Sequence, residues 1–321
     1  MVVSAPLALL LVGLGAIVWA THIVVENAIT VARHHRVSDF FIGVVVLAVG
    51  SDLPELVVSG DAALLQLAGQ ETDNLIIGNA IGSCFGQLGL VIGLAGLIGR
   101  LSLPREQLIR HGGFLLAATV LLFVVGLDGQ VSRLEGLLLV LSFAGYIYLV
   151  IHDEGLITGA RSLEADEERE GGRIAGNWIR LLIGLAAVVL SAELIVQSAL
   201  TLAASWGVDQ SFIGIAIIGV GTSLPEVVIA IAAVIRRRAG LSIGNLLGSN
   251  ILDTLLPIGL AALLVDVSFP RSILTFDLPM LMGLTLLVLA FLYPKGGVRW
   301  PQAAVVLAAY TSYLITLTRA L

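Results

Sequence analysis

The chain has 321 residues, of which 58% are hydrophobic and 12% charged, with a formal net charge of −6 and a mean hydropathy of +1.02. Soluble domains run near ~45–50% apolar and ~25% charged, so the composition excludes an ordinary soluble globule. The acidic balance and the lack of a basic arm exclude a disordered or nucleic-acid-binding chain. The single cysteine, Cys84, permits neither an internal disulfide nor a cysteine metal cluster and leaves the redox compartment open.

At ~20 apolar residues per span, ten apolar segments follow one another near 4–32, 38–67, 73–99, 112–127, 134–152, 175–204, 210–236, 241–265, 274–293 and 299–318. The first has no basic leader and no small-residue cleavage site, so it is expected to be a span and not a signal peptide. Several segments exceed a minimal span, which predicts tilted or broken helices. With the N-terminus outside, fourteen of the seventeen basic residues fall in cytoplasmic loops, and only Arg133, Arg271 and Arg319 lie outside. This is the asymmetry of the positive-inside rule, and it predicts ten spans with both termini external.

The fifth and sixth segments are joined by an acidic stretch, 153–174, expected to be a solvated cytoplasmic linker. It divides the chain into a first five-helix half, 1–152, and a second, 175–321. Its cluster Asp166, Glu167, Glu168 and Glu170 reads as linker charge or as an ion-sensing element.

The halves repeat each other. Val37-Ser38-Asp39-Phe40-Phe41-Ile42-Gly43 aligns with Val208-Asp209-Gln210-Ser211-Phe212-Ile213-Gly214, and Gly50-Ser51-Asp52-Leu53-Pro54-Glu55 with Gly221-Thr222-Ser223-Leu224-Pro225-Glu226. Further on, Ile77-Gly78-Asn79-Ala80-Ile81-Gly82-Ser83 aligns with Ile243-Gly244-Asn245-Leu246-Leu247-Gly248-Ser249. An odd number of spans per half inverts the second half in the bilayer, the inverted-repeat architecture of many secondary transporters with a midplane ion site.

The repeated words are polar and lie mid-span. Pro54 and Pro225 remove an amide hydrogen and clash with the carbonyl four residues earlier, that of Gly50 or Gly221. They predict broken helices with carbonyls free at membrane depth, where such backbone lines a cavity. Asp52, Glu55, Ser223 and Glu226 share helix faces, and Ser83 with Gln87 and Ser249 with Asp253 stand four apart on the third and eighth segments. Intramembrane acids mark ion pathways by default. The four acids Asp52, Glu55, Glu226 and Asp253, with hydroxyls, amides and carbonyls, form an all-oxygen set suited to Ca²⁺ and related hard cations. Asn79 and Asn245 are expected to bond freed backbone, and Gly78, Gly82, Gly244 and Gly248 to let helices approach closely.

GSDLPELVVS with GNAIGSCFGQ, and GTSLPEVVIA with GNLLGSNILD, resemble the two signature repeats of the sodium/calcium exchanger family of cation/calcium antiporters. The resemblance implies an all-α membrane fold of ten helices in two inverted repeats, with helices 2, 3, 7 and 8 broken around the ion site. It implies exchange of Ca²⁺ against Na⁺ by alternating access, with two mobile helices sliding against an eight-helix core. It places the central carboxylates on Glu55 and Glu226, hydroxyl ligands on Ser51, Thr222, Ser223, Ser83 and Ser249, the second-repeat acid on Asp253, and carbonyl ligands on Ala48 and Gly219. It implies transported ions, no cofactor and no enzyme activity. The partners are inorganic cations and the bilayer, nucleic acid is excluded, and a monomer suffices.

Two departures stand out. Asp52 replaces a small residue and Gln87 an asparagine or aspartate. A fourth acid favours a proton shared among like charges, which leaves the coupling ion open between Na⁺, H⁺ and K⁺ and the divalent between Ca²⁺, Mg²⁺ and Mn²⁺. A cation channel lined by the same groups, and an intramembrane protease using Asp52 and Asp253, are the competing classes. His22, Glu26 and Glu193 read as access-path or outer-leaflet residues, His34 and His35 as a solvated turn or metal site, Asp61 as a vestibule charge, and Cys84 as packing.

Overall fold

The computed structural model describes residues 4–70, 72–159, 171–205, 223–294 and 297–320, and nearly all of them are helical. The helices are α1 (Ser4–His34), α2 (Asp39–Ser51), α3 (Leu53–Leu67), α4 (Asp73–Ile98), α5 (Arg105–Val125), α6 (Arg133–Gly159), α7 (Gly171–Ser205), α8 (Leu224–Ile235), α9 (Ala239–Leu264), α10 (Ile273–Leu292) and α11 (Trp300–Ala320). Seven of the described helices are long and apolar enough to cross a membrane, and α2 with α3 makes an eighth candidate as one bent span. The molecule is a multi-pass integral membrane protein.

Helix ends depart from the apolar segments where helix-forming polar residues flank them. The fourth segment, expected from residue 112, is helical from Arg105, directly after Pro104. Hydropathy registers contact with lipid, whereas Arg105, Glu106 and Gln107 simply favour helix. The linker 153–174 is likewise helical at both ends, through Gly159 and again from Gly171, and its acidic cluster at 166–170 lies outside the described residues.

The break predicted in the second segment is present. Asp52, at φ −87° and ψ 5°, separates α2 from α3, whose axes diverge by 43°. Ser223 takes φ −88° and ψ 6° immediately before α8 and Pro225, while Thr222, Gly221, Gly219 and the rest of 206–222 lie outside the described residues. The breaks expected in the third and eighth segments are not there. α9 is continuous from Ala239 to Leu264 despite Pro257, and α4 is continuous with only a π-helical turn at Gly86–Val91. Their Gly-Asn and Gly-Ser words contain no proline, so the helical hydrogen bonds run on.

Two corresponding helix ends match closely. α3 ends at Ala68 (φ −81°, ψ 3°) with Gly69 at φ 91°, and α8 ends at Arg236 (φ −81°, ψ 7°) with Arg237 at φ 59°. Loop pairings correspond as well: Leu101 bridges Val298, and Val131 pairs with Val267 in the ribbon of β1 (Gln130–Val131) and β2 (Val267–Ser268).

Buried apolar residues form two clusters. One joins α1 to α7 through Val24, Ala28, Leu181 and Val188 and reaches α2, α8 and α9 at Ile42, Ile229 and Leu241. The larger one unites α4, α5, α6, α9, α10 and α11. α9 is the axis of the second cluster, buried on almost every side. It meets α2 almost backbone to backbone: a Cβ on Gly244 would lie 2.3 Å from the Phe40 carbonyl oxygen, and one on Gly43 2.6 Å from that of Leu241.

Candidate cation-binding site

The break at Asp52 and the crossing of α2 with α9 bring the polar words of both halves together. Ser51, Asp52, Glu55, Ser83, Gln87, Ser223, Glu226, Ser249 and Asp253 are all buried, none more than 2% exposed. The four acids lie near enough to repel one another. Among the described residues no lysine or arginine is buried with them.

The hydrogen bonds tie the halves across the centre. Ser249 Oγ on α9 donates to Asp52 Oδ1 at 2.9 Å, and Ser51 Oγ donates to the same oxygen at 3.3 Å. Gln87 Nε2 on α4 donates to Asp253 Oδ2 on α9 at 2.7 Å. The orientation of that amide is set from outside the site. The Cys84 carbonyl can only accept, so the Asn250 group facing it at 2.9 Å is Nδ2. The same Nδ2 donates to Gln87 Oε1 at 3.0 Å, which leaves only N–H groups of Gln87 to face Asp253. Asn250 and Cys84 therefore orient Gln87, and Thr254 Oγ1 donates to the Asn250 carbonyl at 2.7 Å.

Several oxygens remain without a protein partner among the described residues: Asp52 Oδ2, both Glu55 and both Glu226 carboxylate oxygens, Asp253 Oδ1, and the hydroxyls of Ser83 and Ser223. Buried polar atoms are ordinarily hydrogen-bonded, and buried ionised acids need a counter-charge. The set is only partly satisfied by its own side chains. It is not a tight cage of acids: among the described residues no three His, Cys, Asp or Glu side chains stand grouped as a ready-made metal centre.

The other expected residues separate cleanly. Ala48 is buried at the end of the π-helical turn of α2. Asn79 Nδ2 donates to the Glu55 carbonyl at 3.0 Å and to Ser59 Oγ at 3.1 Å, pinning α3 to α4. Asn245 is buried with neither side-chain atom partnered among the described residues. Gly244 and Gly248 are close-approach positions, whereas Cβ atoms on Gly78 and Gly82 would meet nothing within 4 Å. Glu26 and His22 sit against Arg236 at the arginine-bearing end. Glu193 accepts from Gln197 on exposed surface, and His35 accepts from Trp178 Nε1 at 3.1 Å. Asp61 is exposed, and Cys84 is a buried free thiol.

Asn250 escaped the sequence reading because an asparagine three residues before an acid looks like any helix-surface amide. Its only signal was the three-residue spacing from Asp253 on the same helix.

A multi-pass helical bundle whose centre collects unpaired acids and hydroxyls defines a membrane protein that handles cations. The family model for sodium/calcium exchanger protein matches residues 5–152 and 176–319. A membrane protein of Methanocaldococcus jannaschii is 32% identical over 280 residues, 87% of each chain. The sodium/calcium exchanger MaX1 of Methanosarcina acetivorans is 28% identical over 96% of this chain and 97% of its own, and the Ca²⁺/H⁺ antiporter ChaA of Bacillus subtilis is 26% identical over 74% and 73%. The solved structure of the sodium-calcium exchanger NCX_Mj, soaked with 10 mM Na⁺ and zero Ca²⁺, superposes with a TM-score of 0.86 at 27% identity, covering 99% of this chain and 100% of that one. The chain belongs to the sodium/calcium exchanger family.

Proposed function

We propose that the protein is a secondary active antiporter of the plasma membrane that exchanges Ca²⁺ for Na⁺ by alternating access. The observation that carries this reading is the cluster of four buried acids with unpartnered oxygens and no buried basic residue. Such a site is stable only when cations or protons neutralise it, so its occupancy is coupled to the ions it carries. Glu55 and Glu226 act as the central Ca²⁺ carboxylates and Asp253 as the third acid. The hydroxyls of Ser51, Thr222, Ser223, Ser83 and Ser249 and the carbonyls of Ala48 and Gly219 complete the shell. Gln87 serves the site through Asp253. Ca²⁺ and Na⁺ are substrates here, not resident cofactors.

Ten spans, in inverted halves 1–152 and 175–321 about the linker 153–174, follow from the same reading. It is supported by the matched ends of α3 and α8 and by the matched pairings Leu101·Val298 and Val267·Val131. So are external termini, supported by the arginine distribution. The separate apolar cluster of α1 and α7 supports a pair that slides against the rest, exposing the site to one side at a time.

A second reading, H⁺- or K⁺-coupled exchange, is favoured by Asp52. Its Oδ1 accepts two hydroxyl bonds while Oδ2 has no partner among the described residues, so that oxygen is the natural seat for a proton or a larger monovalent cation. Uptake of ⁴⁵Ca²⁺ into proteoliposomes driven separately by outward Na⁺, K⁺ and H⁺ gradients, with Mg²⁺ and Mn²⁺ as competitors, decides between them. Glu55→Gln and Glu226→Gln are each expected to abolish uptake under every gradient. Undiminished uptake by either variant sinks the central site.

A further inference from the structure

Away from the central site, the arginine-bearing end holds a cavity of about 490 Å³ walled by α1, the start of α7 and the turn from α8 to α9. Four guanidinium groups line it: Arg33 from α1, Arg180 from α7, and Arg236 and Arg238 from the turn. Two are paired, Arg236 with Glu26 at 3.4 Å and Arg238 with Asp39 at 3.1 Å. Arg33 and Arg180 are exposed and have no acidic partner among the described residues. The cavity therefore carries an excess of positive charge, which repels a metal ion and rules it out as a vestibule for the cation path. Arg33 lies in the last turn of α1, and the positive-inside rule puts such an arginine-rich end at the level of the lipid headgroups; Trp178, two residues before Arg180, donates to His35, and tryptophans favour that interface.

Arginine forks match phosphate oxygens in bidentate geometry, and basic pockets between membrane helices recognise anionic headgroups. We infer that this cavity binds a phosphate group, that of an anionic lipid headgroup, with Arg33 and Arg180 making the direct contacts and Arg236 and Arg238 completing the field. The ligand spans two bodies, because Arg33 and Arg180 belong to the α1–α7 pair while Arg236 and Arg238 belong to the helices around the central site. An occupant links the two and sets how readily they move past each other.

Binding is measurable without transport, so the test stands apart from the exchange reading. The purified protein is taken from nanodiscs of phosphatidylcholine with phosphatidylglycerol, and retained lipids are counted by native mass spectrometry. A parallel arm titrates inorganic phosphate against thermal unfolding in phosphatidylcholine alone. The wild type is expected to retain phosphatidylglycerol. The Arg33→Gln/Arg180→Gln variant is expected to bind about thirtyfold more weakly, on roughly 1 kcal/mol per arginine at an anionic surface, with Arg33→Lys/Arg180→Lys restoring part of the affinity. Arg105→Gln/Arg299→Gln, with the same charge change away from the cavity, is expected to bind as the wild type does. Stabilisation by inorganic phosphate, lost in the same cavity variant, with no lipid retained, assigns the phosphate site to a free anion. Equal binding by the wild type and the cavity variant, or an equal loss in the Arg105/Arg299 control, overturns the site.

Discussion

At the residue scale, the centre of the molecule is governed by what each polar atom faces. Asn250 makes no hydrogen bond to Asp253, yet it decides which end of the Gln87 amide does. Partners one step removed from a metal typically alter its affinity ten- to a hundredfold. Asn250→Ala is accordingly expected to weaken Ca²⁺ by about tenfold in the concentration dependence of uptake, while Asn250→Asp, which offers Gln87 Oε1 no donor, is expected to do no better. Asp52 adds a fourth buried acid, so chelating Ca²⁺ and removing Na⁺ should lower the melting temperature. At a cation concentration ~100-fold over its dissociation constant the stabilisation lost is about 2.7 kcal/mol. Asp52→Asn is expected to shrink that loss, read as a smaller shift between chelated and Ca²⁺-loaded protein. An equal shift would show that Asp52 is uncharged in the empty site.

At the element scale, glycine matters where backbones touch. A methyl group at Gly244 would strike the Phe40 carbonyl at 2.3 Å and cannot be relieved by a rotamer change. Gly244→Ala is therefore expected to destabilise by ~1–3 kcal/mol or more, as overpacking does, by separating α2 from α9. A Cβ on Gly60 of α3 would meet nothing within 4 Å. Gly60→Ala is thus expected to be neutral or stabilising by up to ~1 kcal/mol through helix propensity. Thermal unfolding of both variants in the same detergent checks the contrast. The prolines follow the same logic. Pro54 stands two residues after the break at Asp52, which leaves the α-helical region, whereas Pro257 sits inside an unbroken α9, where surrounding helices hold it in place.

At the scale of the whole molecule, the two apolar clusters describe two bodies that meet along α2 and α8. Gly50 lies on that seam: an added Cβ would come 2.7 Å from Leu185 Cδ1 of α7. The obstacle is the end of a flexible side chain, so Gly50→Ala is expected to fold. It is also expected to slow exchange several-fold while leaving Ca²⁺ binding intact, separable by comparing equilibrium ⁴⁵Ca²⁺ binding with the initial rate of uptake. Parallel losses in both would mean that the contact belongs to the ion site and not to the sliding seam.

What the amino-acid order determined by itself was everything that repeats or partitions. Segments of apolar residues must enter lipid, basic residues must stay on one side, and a proline followed by an acid in mid-span must break a helix and leave oxygens unpaired. Those are local rules, so the apolar segments and the break at Asp52 could be read directly, and the polar words could be singled out as candidates for one site. Three things were decided only in the tertiary structure. The third and eighth segments run unbroken, because glycine and serine loosen a helix without removing a hydrogen bond. Asn250 joins the site's support, because its partners Cys84 and Gln87 are remote in sequence and meet it only when α4 crosses α9. The arginines of three separate segments, dispersed as topology signals along the chain, close around one cavity. In the last two cases the deciding contact is between residues far apart in the chain, and its energy depends on distance and burial, which residue order does not specify.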